Sequence, residues 1–305
     1  MLWDDGSTDN TAEVVAPFLK DARFQLLRSA KNEGLNASWR ELLAQARGEF
    51  WCSPGADDVL SPDFLERRVA KLRSEPDAAL IHGRPVYIDS TGEPLKEKLP
   101  EVYPDPVQQG DDALLALVEH NYINQPSVLA RTVTTKRVLP HWSDNWKYAP
   151  DWHLWILHAA TGQAFLYDAV PAHQYRIHEA SISGDPRGRA TRMAEVRLVP
   201  LCALAEAQTL SRAATDYWTR WRSRLYALWL WRALKVHRMN QLNPTWLDLA
   251  THAFYGSKKG AWSFRDECIR YALHIAVVSF WERLAHHRNS FAVAGLAQIG
   301  HPLFR

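Results

Sequence analysis

The stretch LWDDGSTDNTAEVV, residues 2–15, decides how the rest of the chain is read. Leu2 and Trp3 have the character of a strand end, and Gly6 with Ser7 supplies turn chemistry. Asn10 stands three residues before Glu13, the spacing of a capping box. Ala12, Val14, Val15, Phe18 and Leu19 then recur at helical spacing. The pattern predicts a strand, an acidic turn carrying Asp4 and Asp5, and a helix. In an open α/β sheet, the loop after a strand is where ligands bind.

The same arrangement returns in ARGEFWCSPGADDVLSPDFLE, residues 46–66. Phe50, Trp51 and Cys52 form a short apolar strand, and Pro54 and Gly55 end it. Ser61, Pro62 and Asp63 have the order of cap, first-turn proline and first-turn acid. A second carboxylate pair, Asp57 and Asp58, therefore falls in a second connection between strand and helix. Between the two acidic loops, Phe24–Leu27 predicts a short strand. Leu35, Trp39, Leu42, Leu43 and Ala46 predict a helix that Gly48 ends.

Further along, ALIHG and PVYID predict paired strands followed by the turn STGE, and NYINQPSVLAR at 121–131 a loop running into a strand. YAPDWHLWILHAATG at 148–162 predicts a helix opened by Pro150 and Asp151. FLYDAVPAHQYRIHEASISG predicts two strands and a polar loop. Strands alternating with helices over residues 1–180 predict an α/β domain. DPRGRATR, residues 185–192, is the best linker, and long helical patterns take over beyond it. The expected division is an α/β domain at 1–185 and a tryptophan-rich helical domain at 186–305.

The whole-chain composition narrows the function classes. With 47% hydrophobic and 23% charged residues, the 305-residue chain has the make-up of a globular protein. A formal net charge of +2 without a clustered basic face argues against a nucleic-acid partner. Cys52, Cys202 and Cys268 are widely separated and odd in number, which predicts free thiols in a reducing compartment. The apolar runs LYALWLW at 225–231 and YALHIAVVSFW at 271–281 fall short of the ~18 residues of a membrane span. No signal peptide is visible, so a cytoplasmic location is expected.

Carboxylates in loops after strands suit the holding of a divalent cation against phosphate oxygens. Mg²⁺ and Mn²⁺ take oxygen ligands, and a protein commonly offers one or two carboxylates while phosphates complete the shell. Neither GxxxxGK[ST] nor a GxGxxG after a strand is present, so a Gly-rich phosphate cradle is not the alternative.

Five segments in order, WDDGSTDNT, KNEGLN, ARGEFWCSPGADDVLSPDFLE, APDWHLWILHAATG and YRIHEASIS, resemble the signature of the family 2 glycosyltransferases with the GT-A fold. The resemblance runs over residues 2–184. It implies a GT-A type sheet flanked by helices, followed here by an all-helical C-terminal domain. It also implies metal-dependent, inverting transfer of a sugar from a nucleotide-diphosphate donor to a hydroxyl of a carbohydrate or lipid-linked acceptor, as in surface polysaccharide or glycolipid assembly. On that resemblance Asp4 and Asp5 lie at the nucleotide, with Asp5 on the base, and Asn32 and Gly34 shape a turn near the donor. Asp57 faces ribose and diphosphate, Asp58 with Asp57 ligates Mn²⁺ or Mg²⁺, and His178 returns towards the metal. Asp151 aligns with the catalytic base.

Each of these residues also has a plainer reading. Asp4 and Asp5 serve as well in a solvated Asx turn, Asp151 as a favourable acid at a helix N-terminus, and His178 as a hydrogen-bonded structural histidine. The chain departs from the commonest family pattern at Gly55 and Pro150, where an aspartate and a glutamate are usual, and at its start, where an apolar strand and helix are expected ahead of the first motif. The expectation is therefore a domain truncated at its N-terminus. The rival from another class is a non-catalytic scaffold or sugar-binding protein that keeps the fold.

In the tail, Trp218, Trp221, Leu225, Leu228 and Trp229 form an apolar stripe beside Arg220, Arg222 and Arg224. The stripe predicts helix packing against the catalytic domain or a second copy, with peripheral contact to an anionic membrane as the alternative.

Overall fold

The computed structural model describes residues 1–95, 107–143, 146–178, 181 and 188–219, apart from 213 and 217. The sequence sets strands in the first half as short runs of Trp, Leu, Val, Phe and Ile between turn residues. In chain order the elements are β1 (Leu2–Asp4), α1 (Thr11–Val15), β2 (Leu26–Arg28), α2 (Leu35–Gln45), β3 (Phe50–Trp51), β4 (Val59–Leu60), α3 (Phe64–Ser74), β5 (Ala78–Gly83) and β6 (Val86–Ile88). There follow β7 (Val107–Gln108), α4 (Gly110–Glu119), β8 (Leu129–Arg131), α5 (Thr132–Val138), α6 (Pro150–Ala159), β9 (Ala164–Asp168), β10 (His173–Arg176) and α7 (Arg189–Ala207).

The central sheet has the strand order β3-β8-β5-β9-β7. β5 runs parallel to β9, and β8 runs antiparallel to both β3 and β5. The C-terminal ends of β3, β5 and β9 therefore share one edge of the sheet. β10 lies between β4 and β6, while β1 pairs in parallel with β2. The uninterrupted apolar face of Ala78–Ile81 is fully buried, and Leu72, Ile81, Leu129 and Leu166 form the core around it. Such a strand, covered on both faces, reads as a continuous hydrophobic run.

Tryptophans extend that core. Trp39 of α2 meets Trp51 of β3 edge to face at 6.1 Å, and Trp51 stacks on Trp155 of α6 at 6.2 Å. Aromatic pairs at these separations add to the burial of their area. α6 is buried along all of its length except Asp151, which sits only partly covered at its head. Gly162, at φ +81, turns the chain out of this helix into β9.

The first compact unit runs from Met1 to Thr219, beyond the expected boundary at 185/186, because α7 packs against α6. The second unit, Arg220–Arg305, lies outside the described residues, and with it the larger part of the predicted helical domain, Cys268 and the membrane or self-association reading of the tail. Trp218, the first residue of the apolar stripe, is buried. Among the described residues no helix is long and apolar enough to cross a membrane.

Three local expectations are corrected. ALIHG and PVYID, expected to pair with each other, become β5 and β6 of different sheets. Asn10 makes no side-chain cap; Asp9 instead accepts the Thr11 amide at 3.0 Å and the Thr11 hydroxyl at 2.5 Å. The helix also stops at Val15, and Phe18–Lys20 forms a separate 3₁₀ turn. Pro17 has no N–H to continue the ladder, so one helix becomes two short pieces. Val14 and Phe18 of the predicted stripe are more than half exposed.

Candidate active site

The turn after β1 is built around its two aspartates. Asp4 is buried, accepts the Ser7 amide at 2.8 Å and pairs with Arg28 Nε of β2 at 3.0 Å. The bonds from Ser7, with Arg28 behind them, hold its carboxyl below the usual range. Asp5 reaches across to the loop before α2. Its Oδ1 accepts the Glu33 amide at 2.9 Å and the Ser29 hydroxyl at 3.2 Å, and its Oδ2 accepts the Gly34 amide at 2.8 Å. Burial alone would raise the Asp5 carboxyl, but the amides of Glu33 and Gly34 and the Ser29 hydroxyl outweigh it and leave it lowered.

Glycine is needed at both ends of this clamp. A Cβ on Gly6, whose φ is +74, would come within 2.8 Å of the Lys31 carbonyl carbon, and Gly34 precedes α2 at φ +91. Asp5, Asn32 and Gly34 are thus gathered in one place, with Asn32 exposed on its surface.

The second acidic loop meets the end of β10. Asp58 Oδ1 accepts the Arg176 amide at 3.0 Å, and its Oδ2 accepts the Gly55 amide at 3.2 Å. Asp57 Oδ2 lies 2.9 Å from His178 Nε2, and the Asp57 carbonyl accepts Arg176 Nε at 2.9 Å. The Arg176 guanidinium also reaches the Asp89 carbonyl at 2.9 Å, binding a third loop to the pair. Burial, reinforced by the neighbouring charge of Asp57, raises the Asp58 carboxyl above the ordinary range.

Gly55 explains how two carboxylates share so little space. A Cβ there would lie 2.7 Å from Asp58 Oδ2 and 2.8 Å from Asp57 Oδ1. Both side chains fold over the glycine, and the aspartate usual at this position in the family would occupy the volume they use.

Asp151 lies at the head of α6, where the helix presents its free amides. Burial pushes its carboxyl up to about 6, against the Trp152 amide and the Asn121 side chain, which donates to Asp151 Oδ2 at 3.2 Å. The three groups are linked through intermediates. Trp39 Nε1 donates to Ser53 Oγ at 2.7 Å, Gln125 donates to the Ser53 carbonyl, and Asn124 Oδ1 meets His173 Nε2 of β10 at 2.7 Å. The segment 121–125 therefore touches Asp151 at one end and the acidic loop at the other.

Sequence reasoning missed Asn121, Gln125 and Arg176. The polar cluster NYINQPS directly ahead of a strand was the available signal for the first two. Arg176 lay inside a quoted motif, but its bonds run to carbonyls on two distant loops, and no spacing reveals those.

The chemistry of the donor set bears on the expected cation. Among the described residues no group of three or more His, Cys, Asp or Glu side chains is placed to hold a metal ion. Asp57 and Asp58, with His178 beside them, fit the other arrangement, in which one or two carboxylates share the ion with substrate phosphates.

Residues 1–135 match the sequence model of Glycosyl transferase family 2. An uncharacterized glycosyltransferase of Methanocaldococcus jannaschii is 29% identical over 104 residues, 34% of this chain and 36% of that protein. The poly-beta-1,6-N-acetyl-D-glucosamine synthase of Staphylococcus epidermidis is 28% identical over 85 residues, 28% of this chain and 21% of that protein. The chain therefore spans about a third or less of the length of these relatives. The crystal structure of S. aureus TarS 1-349 in complex with UDP aligns at a TM-score of 0.53 and 13% identity, over 95% of this chain and 83% of that one. That likeness concerns the fold, a GT-A type arrangement of mixed sheets flanked by helices. By sequence, then, residues 1–135 are similar to Glycosyl transferase family 2, and the architecture around them is of the GT-A type.

Proposed function

We propose that the chain transfers a glycosyl unit, with inversion, from a nucleotide-diphosphate sugar to a hydroxyl acceptor. The observation that carries this reading is the pairing of two chemically different carboxylate sites. Asp57 and Asp58 meet His178 and Arg176 on one side. Asp151, raised to about 6 and aligned by Asn121, stands apart from them at a helix N-terminus.

In this reading Asp57 and Asp58 face the diphosphate, and the Asp5 clamp shapes the nucleotide end through the Asn32 and Gly34 turn. A divalent cation held by Asp58 and Asp57 would supply Lewis-acid neutralisation of the departing diphosphate. Asp151 takes the proton of the acceptor hydroxyl as its oxygen bonds to the anomeric carbon, while the bond from that carbon to the phosphate oxygen breaks. A carboxyl near 6 is ionised at neutral pH yet basic enough to accept that proton. One base and one displacement give inversion.

The UDP held by the structurally similar TarS supports a nucleoside diphosphate as the leaving group. The S. epidermidis polymer synthase supports a product in surface polysaccharide assembly. Hydrolysis of UDP-GlcNAc with Mn²⁺, comparing the parent with Asp58→Ala and Asp151→Asn, tests the proposal. Both variants are expected to fall by at least about a hundredfold. Equal background rates in all three would favour the non-catalytic scaffold.

A further inference from the structure

Glu195 is a fully buried carboxylate on α7, outside every sequence motif quoted above. Among the described residues it accepts three consecutive backbone amides. Oε1 takes the Lys147 amide at 2.8 Å, and Oε2 takes those of Tyr148 at 2.5 Å and Ala149 at 3.0 Å. These three residues lead directly into Pro150 and Asp151, the opening of α6. Three amides on one buried carboxylate satisfy groups that an incoming loop would otherwise leave unpaired, and they fix where that loop ends.

The same segment is gripped from other sides. Trp142 Nε1 donates to the Pro150 carbonyl at 2.8 Å, and Asn36 of α2 donates to the Trp146 carbonyl. A second acid of α7, Glu206, lies eleven residues on from Glu195, close to three helical turns, and so shares its face. Its Oε2 is 3.3 Å from His153 Nε2, on the far side of Asp151. α7 therefore contacts the chain both before and after Asp151.

We propose that Glu195 is a positioning residue for the base: by holding the amides of 147–149 it sets the start of α6 and hence the place of Asp151 against the acceptor hydroxyl. The inference rests on the reading of Asp151 as the base. A shift on the order of 1 Å at a reacting group costs roughly a hundredfold in rate, so a helix opening is worth fixing with a buried charge.

The test compares Glu195→Gln, Glu195→Ala and Asp151→Asn in the full chain, with UDP-GlcNAc and Mn²⁺ as probes. Hydrogen exchange is followed in the peptide spanning 147–149 and in a control peptide from β5. In Glu195→Ala the 147–149 amides are expected to exchange at least about tenfold faster with β5 unchanged, and kcat to fall about tenfold or more with donor KM within twofold. Glu195→Gln, which keeps one acceptor oxygen, is expected to lie between. Unchanged exchange at 147–149, or kcat and KM that move together in both variants, overturns the positioning role. If Glu195→Ala does not fold, Glu195→Gln carries the same comparison alone. Full activity in Asp151→Asn overturns the base reading instead, and the exchange result then reports separately whether Glu195 holds the turn.

Discussion

His178 Nε2 lies 2.9 Å from Asp57 Oδ2, a contact between residues 121 positions apart in the chain. It joins the loop after β3 to the segment after β10, with Arg176 fixing the same two loops through backbone groups. An outer partner of this kind orients a carboxylate towards an ion or a phosphate and commonly matters about 10–100-fold to affinity. His178→Ala is accordingly expected to raise the apparent Kd for UDP with Mn²⁺ by about tenfold while the melting temperature changes little, both read by a thermal-shift titration. Unchanged affinity would leave the contact a structural one.

Gly55→Ala separates the site from the fold. The atoms its Cβ would meet are the ends of two carboxylate side chains, which can rotate away, so stability is expected to change by no more than about 1 kcal/mol. The rotation moves Asp57 and Asp58 from their present positions, and donor KM is expected to rise by about tenfold or more. Gly55→Asp, which restores the residue usual in the family, is expected to be worse than alanine because it also adds a third negative charge beside the pair. Wild-type donor KM in Gly55→Ala would show that the carboxylates do not need this space.

Much of this was legible because the deciding signals are local. A short apolar run followed by Pro54, Gly55 and paired acids marks a strand that ends in a loop whatever the rest of the chain does, and β3, β5, α2 and α6 fall where their patterns put them. The capping box misled because the side chain that turns onto the helix start is that of Asp9, which accepts the Thr11 amide and hydroxyl, while Asn10 caps nothing. The first helix was read too long because the apolar spacing carries on past a proline that interrupts the backbone ladder. Asp4 and Asp5 look alike in sequence, yet one faces its own strand pair and the other reaches 28 residues along the chain. Glu195 was not legible at all: a lone glutamate in a helix shows nothing until the backbone amides it meets are brought to it.

Asp5→Ala is expected to destabilise by about 1–3 kcal/mol, since it leaves the Glu33 and Gly34 amides without their acceptor. The folded carboxyl is depressed below its ordinary 3.8, so its contribution is complete above that value and is lost as the pH falls through the folded pKa. Urea melts at pH 7 and near pH 2.5 should therefore show a larger deficit for the variant at pH 7. Equal deficits at the two pH values would mean that the carboxylate charge does not hold the turn.

Asp151 is expected to act on rate and on stability with opposite sign. As a base it must be ionised, so kcat should rise with pH through about 6 and level off above it. For stability, the folded carboxyl binds protons more readily than the unfolded one between 3.8 and about 6, and the fold therefore weakens as the pH rises through that window. Asp151→Asn removes the buried charge, so it should abolish transfer yet melt higher than the parent above pH 6. Its gain should be no more than about 3 kcal/mol, trimmed by the partial exposure of the side chain, and should vanish below pH 4. Asn121→Ala should move the acid limb of kcat to higher pH, because the bond from Asn121 favours the ionised form. Should Asp151→Asn lose activity without gaining stability at pH 8, the carboxyl is not raised by burial, and its part in the reaction must rest on position alone.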